Sequence, residues 1–149
     1  MDEPPGPVVR ECVEGYLFAE PPLELLLFRR PPARGRIWVP ISGKVEASDP
    51  DFEAALRREL TEETGLADPR RLVALDWHVR FRADNGEVWR LHAFGVEVDR
   101  SFAPVLSAEH EAAEWTTPRE AAQRLHFEDN RLAVERLVAR LASSRIPKV

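Results

Sequence analysis

The stretch from Asp49 to Gly65, DPDFEAALRRELTEETG, constrains this chain more than any other. Phe52, Leu56 and Leu60 recur every four residues, so a helix carries them on one face that must be buried against another layer. Asp49 reads as the N-cap, Pro50 suits the first helical position, and Gly65 suits the left-handed residue past the C-terminus. Together they predict a helix over residues 50–65. On that helix Glu59, Glu62 and Glu63 stand at i, i+3 and i+4 and share one region of its surface. Like charges at this spacing cost ~0.2–0.5 kcal/mol per pair, and at a helix C-terminus the backbone dipole opposes them further. Arg57 and Arg58 offer one remedy, a solvated and salt-bridged face. A hard cation such as Mg²⁺, which takes carboxylate oxygens along with water and phosphate, offers the other.

Around this helix the sequence reads as strands. Val8–Phe18 and Leu23–Arg30 are rich in β-branched, aromatic and aliphatic residues, with a turn at Glu20-Pro21-Pro22 between them. Pro31 to Gly35 is a loop, and Arg36–Ile41 a short third strand carrying Trp38. Leu72–Arg82 and Val88–Val98 flank Asn85-Gly86, a hairpin signal. Ala112–Thr116 follows, then a helix start with Thr117 as cap, Pro118 at the first position and Glu120 three residues after the threonine. Val134, Leu137, Val138 and Leu141 mark an apolar stripe on a last helix over 130–142. This order predicts one domain over residues 1–149, an α/β fold with helices on the faces of a mixed or antiparallel sheet, and a flexible tail at 1–6.

The chain has 149 residues, 44% hydrophobic and 32% charged, with a net charge of −5. That charge argues against nucleic-acid binding, which rests on phosphate neutralisation by a basic surface. No run approaches ~18 apolar residues, so no membrane-spanning helix is expected. The acidic, proline-rich start lacks the features of a secretory signal, and the lone Cys12 reads as a buried strand residue. A cytoplasmic protein, monomer or homodimer, is the simplest expectation.

Arg58-Glu59-Leu60-Thr61-Glu62-Glu63-Thr64-Gly65-Leu66 resembles the second half of the Nudix box, Arg-Glu-apolar-x-Glu-Glu-x-Gly-apolar, and Gly43 stands upstream near the place of the box's first glycine. The order of strands before and after extends the resemblance over most of the chain. It implies the α/β/α sandwich of the Nudix hydrolases, Mg²⁺ (with Mn²⁺ as a substitute) as cofactor, and hydrolysis of a phosphoanhydride bond. By the same resemblance the metal ligands are Glu59, Glu62, Glu63 and the Gly43 carbonyl, and Arg58 orients the glutamates. The first half of the box departs from the pattern. The family places a glutamate six residues after its glycine and eight before the box arginine; here Asp49 is six after Gly43, but nine before Arg58. A one-residue loop insertion accounts for this, with Asp49 or Asp51 a partial substitute.

Glu109-His110 followed by Trp115 resembles the Glu-His-x4-Trp pattern of the dATP and dihydroneopterin triphosphate pyrophosphohydrolase branch, which diadenosine polyphosphate hydrolases share. The resemblance makes Glu109 a further metal ligand or candidate base; the ordinary alternative is a solvated loop glutamate. Arg29, Arg30 and Lys44 are candidates for the phosphate tail, and Trp38 for stacking a base, though each suits a structural role as well. The expected substrate is a small nucleoside polyphosphate. The first reading is a nucleoside triphosphate pyrophosphohydrolase giving a monophosphate and pyrophosphate, the alternatives being a diadenosine polyphosphate hydrolase and a nucleotide-binding module without turnover.

Overall fold

The computed structural model describes residues 3–144. The sheet contains β1 (Val8–Ala19), β2 (Glu24–Arg29), β3 (Trp38–Val39), β4 (Ile41–Lys44), β5 (Arg71–Arg82), β6 (Val88–Glu97) and β7 (Ala112–Thr116). The helices are α1 (Phe52–Thr64), α2 (Pro118–Arg124) and α3 (Glu128–Ser144). The sheet is mixed: β1 runs parallel to β6 and antiparallel to β2 and β4, and β5 lies antiparallel on the far side of β6. Alternation along each strand divides the core in two. Val13, Leu17, Phe28 and Phe94 face α1, where Leu56 and Leu60 are fully buried. Tyr16, Phe18, Leu27 and Ala93 face α2 and α3, meeting Ala121, Val134 and Leu137. The result is an α/β/α sandwich.

The strands nearest the site share a three-way junction. β1 pairs with β2 over Leu17–Ala19 and with β4 over Cys12–Gly15, while β3 pairs with the far end of β2. The segment Trp38–Lys44 therefore crosses from β2 to β1, entering where those strands part. The expected strand over 36–41 is in fact two short ones, separated at Pro40, a residue with no N–H to give to a ladder. The Pro31–Gly35 loop contains a 3-10 turn, Pro32–Arg34, closed by Gly35 at φ 91°.

Helix α1 begins later than the sequence suggests. Its N-cap is Asp51, whose carboxylate accepts from the Ala54 amide at 2.7 Å; Asp49 and Pro50 lie before it. Two aspartates compete for one capping role, and Asp49 is held instead by a two-pronged guanidinium bond described below. Gly65 closes the helix at φ 75°, as expected. Burial of Leu56 and Leu60 contributes about 1.5–3 kcal/mol each. Thr117, Pro118 and Glu120 form the anticipated capping box of α2. In α3 the buried stripe is Ala133, Val134, Leu137 and Leu141, and Val138 lies 37% exposed, so the predicted stripe is turned by part of a helical step.

The hairpin between β5 and β6 carries positive φ at Gly86 but not at Asn85, and closes as a longer loop through Ala83 N–H to Glu87 O at 2.9 Å. Cys12 is buried. Of the expected tail, residues 1 and 2 lie outside the described residues, while the Glu3 carboxylate accepts from the Arg80 backbone and Nε at 3.3 and 3.1 Å. Among the described residues no helix is long and apolar enough to cross a membrane.

Candidate active site

The C-terminal half of α1 carries the three acids to one place with different surroundings. Glu59 and Glu63 are only 9% and 6% exposed, whereas Glu62 lies on the open surface. Arg58 organises them. Its Nε and Nη2 grip both oxygens of Asp49 at 3.1 and 2.8 Å, and Nη2 also donates to the Lys44 carbonyl at 2.9 Å. Its Nη1 donates to Glu59 Oε1 at 2.9 Å and approaches Glu62 at 3.4 Å and Glu46 at 3.3 Å. The Asp49 bond is the largest influence holding the guanidinium charged, and the same bond lowers the Asp49 carboxyl. Asp49 therefore ties the loop before α1 to the helix through Arg58.

Gly43 lies directly against Glu59. A Cβ there would sit 2.0 Å from the Glu59 carboxyl carbon, so the position admits no side chain while Glu59 keeps its place. On the other flank, the loop before β7 is stitched to the end of α1. Val105 N–H donates to Thr64 O at 2.9 Å and Ser107 N–H to Glu63 O at 3.2 Å. The Ser107 hydroxyl donates to Glu63 Oε2 at 2.8 Å, and His110 Nδ1 stands 3.5 Å from the same oxygen without a hydrogen-bond partner. His110 is buried against Phe28, and that burial pushes its pKa down to about 4, leaving it neutral.

Burial raises both Glu59 and Glu63, and neighbouring acids add to it. Burial pushes Glu63 up to about 7; the nearby Glu109 adds to this and the Ser107 hydroxyl opposes it. Burial also raises Glu59, partly offset by Arg58, with Glu62 and Glu109 adding to the rise. Glu109, exposed in its loop, thus joins the two buried acids across a distance of 46 residues in the chain. Yet among the described residues no group of three or more His, Cys, Asp or Glu side chains is close enough together to hold a metal ion by itself. The arrangement still fits Mg²⁺, which keeps several waters and asks only one or two carboxylates of a protein. Its charge would relieve the mutual repulsion of Glu59, Glu63 and Glu109.

The four candidate substrate residues divide. Arg30 and Lys44 belong to no ion pair among the described residues, and neither does Arg34, which sequence reasoning did not single out. Arg30 is half-buried over the Phe127 ring at 5.9 Å; burial and the neighbouring Arg34 press its pKa down, while Glu109 presses it up. Arg29 is instead bound to Glu111 at 2.8 Å, and its guanidinium covers Trp38 at 5.5 Å. Arg124 covers Trp38 at 5.7 Å, and the tryptophan packs on the α3-side core. Sequence reasoning also missed Ser107, and a buried cluster on the α3 side: the Tyr16 hydroxyl donates to Glu14, and the Asn130 amide donates to Glu14 at 3.4 Å and to Tyr16 at 3.1 Å. No spacing announces Ser107 beside Glu63 or Asn130 beside Glu14 and Tyr16, because these partners lie on different elements.

A NUDIX domain profile matches residues 15–137, which include the whole of this acidic site. The chain belongs to the NUDIX domain family. This NUDIX domain is 38% identical over 122 residues to an octanoyltransferase from Myxococcus xanthus, a match covering 80% of the chain but 33% of that protein. The chain thus spans about a third of the length of this curated relative. Among solved structures it is similar to a C. elegans Ap4A hydrolase in a binary complex, with a TM-score of 0.76 and 20% identity over 91% of this chain and 99% of that one. The E. coli dihydroneopterin triphosphate pyrophosphohydrolase gives the same TM-score and identity, covering 90% and 99%. A NUDIX hydrolase from Listeria monocytogenes gives 0.77 at 22% identity, covering 97% and 100%. At such identities the likeness concerns the fold.

Proposed function

We propose that this Nudix domain is a Mg²⁺-dependent hydrolase of a phosphoanhydride bond in a nucleoside triphosphate-like substrate, releasing a monophosphate and pyrophosphate. The observation that carries the reading is the set of mutually repelling acids, Glu59, Glu63 and Glu109, gathered against a glycine that leaves them room. The unpaired cations Arg30 and Lys44 add to it. Glu59 and Glu63, with Glu62, Glu109 and the Gly43 carbonyl, are the groups that would hold the metal. When bound, the ion would offset phosphate charge and acidify a water molecule.

The chain's own residues supply the rest. Arg58 fixes Glu59, and Ser107 fixes Glu63, so one oxygen of each carboxylate is held in place and the other is left for the metal. Arg30 and Lys44 hold phosphate oxygens. A carboxylate must accept the proton of the attacking water, and Glu109, exposed beside Glu63, is the group suited to this. Arg29 and Trp38 keep a structural part. The protein would work on small nucleotides in the cytoplasm, as a monomer or homodimer, without binding nucleic acid.

A panel of nucleoside triphosphates and diadenosine tetraphosphate, incubated with Mg²⁺ or with EDTA and resolved by ion exchange, tests the reading. Monophosphate and pyrophosphate from a triphosphate, lost with EDTA, is the expected result. ATP released from diadenosine tetraphosphate, with the triphosphates untouched, would move the activity to dinucleoside polyphosphates. Nucleotide binding without any product would leave a non-catalytic module.

A further inference from the structure

Trp38, the residue whose sequence position invited a stacking role, has both its guanidinium neighbours and the core as partners. A second indole also lies under two cations, but outside both core clusters. Trp89 on β6 pairs in register with Arg10 on β1, and Cys12, two residues further along β1, pairs with Lys44 on β4. Strand alternation puts Arg10 and Trp89 on the face of Tyr16 and Ala93, the face that α3 covers only in part. Arg10 and Lys44 are exposed, and their cationic ends lie over the Trp89 ring, 5.5 and 5.0 Å from its centre, as Arg29 and Arg124 lie over Trp38. But Arg29 and Arg124 are anchored by Glu111 and Glu114, whereas Arg10 and Lys44 have no ion pair among the described residues to hold them on the ring.

Two features set this cluster apart from an ordinary charged surface. In an acidic protein whose arginines so often meet carboxylates, neither Arg10 nor Lys44 enters an ion pair among the described residues. Glu87 lies close enough to feel both cations but pairs with neither: it accepts from Trp89 Nε1 at 3.0 Å and from the Asn85 amide at 2.7 Å, which fixes the indole in orientation. Phe81 supports the ring edge-on at 5.9 Å. The platform and the acidic site lie on opposite faces of the sheet and meet at β4, where Lys44 and Gly43 alternate. Lys44 gives its carbonyl to Arg58, and the preceding Gly43 lies on Glu59. β4 has a strand partner only in β1 among the described residues, so its other edge offers a path between the two.

Resting on the nucleotide-hydrolase reading, we infer that Trp89, flanked by Arg10 and Lys44, is the platform on which the substrate's heteroaromatic base stacks, the two cations taking the adjoining phosphate. A ring held in place before the ligand arrives stacks at little ordering cost, and base-on-indole stacking tolerates any base because every base has a π face.

The test measures binding by the full chain carrying Glu63→Gln, so that turnover does not interfere, with Mg²⁺ and two probes: the common ribonucleoside triphosphates, and inorganic tripolyphosphate, which has no ring. Trp89→Leu weakens nucleotide binding about tenfold and leaves tripolyphosphate within about twofold, while Trp89→Phe restores most of the loss. Arg10→Gln weakens both probes. Far-UV circular dichroism and Tm confirm that each variant folds. A Trp89→Leu protein that is folded and binds nucleotide normally, or loses both probes equally, overturns the inference, as does a tenfold nucleotide loss in Trp38→Leu alone. If wild type hydrolyses a triphosphate while the Trp89 series is flat, only this inference falls; if it binds neither probe, both readings fall.

Discussion

Glu14 allows a prediction worked through to a number. It is 5% exposed, deep between β1 and the start of α3, and its neighbours are the Tyr16 hydroxyl, the Asn130 amide, and the charges of Asp129 and Arg30. Burial, the largest influence, pushes its pKa from 4.5 up to about 7. The unfolded chain therefore gives up this proton first. Below pH 4.5 both states hold it and the full contribution to stability is present; between 4.5 and 7 the unfolded state has released it and the folded state has not, so stability falls as pH rises. Above 7 both are ionised and the slope ends. At about 1.4 kcal/mol per pH unit the interval is worth about 3 kcal/mol. Glu14→Gln removes the titration and keeps the shape, and Asn130 Oδ1, now without a partner, can accept from the new amide. Urea unfolding followed by tryptophan fluorescence at pH 4.5, 6 and 8 gives the difference between variant and wild type, in which every other titrating group cancels. The variant gains about 3 kcal/mol on wild type between the lowest and highest pH, or about 6–12 °C in Tm. A difference that stays constant over the range refutes the burial argument.

Glu63→Gln keeps the fold and cuts turnover at least ~10²-fold, because the site loses charge and not packing; phosphate-product release with a Tm control measures it. Gly43→Ala drives a methyl group into the space of the Glu59 carboxyl, and weakens Mn²⁺ binding, titrated by electron paramagnetic resonance, with little change in Tm. Asp51→Ala deprives α1 of its cap and costs about 1 kcal/mol in thermal unfolding, whereas Asp49→Ala leaves the cap intact and disturbs Arg58 instead.

Much of this architecture was open to reading because local rules and tertiary packing agree. β7 runs from Ala112 to Thr116 as expected, and β1 and β5 differ from expectation by one residue, since alternation and turn residues mark them from within. The acids of α1 were legible for a similar reason: one helix sets their spacing. What escaped notice depends on partners far apart in sequence. Nothing near Arg29 foretells that Glu111 will take its guanidinium, and nothing near Glu14 foretells Asn130. The start of α1 was misplaced because Asp49 and Asp51 look alike locally, and only Arg58, arriving from the folded helix, decides between them.

The same guanidinium has a consequence for how this site can vary. By clasping Asp49, the Lys44 carbonyl and Glu59 together, Arg58 closes a small ring of chain in which Val45 and Glu46 are pinned by their own hydrogen bonds and only Ala47 and Ser48 are left as slack. Extra length introduced there bulges outward without shifting either anchor. On this geometry the acidic cluster is buffered against added length in the preceding loop by one side chain rather than by the loop itself.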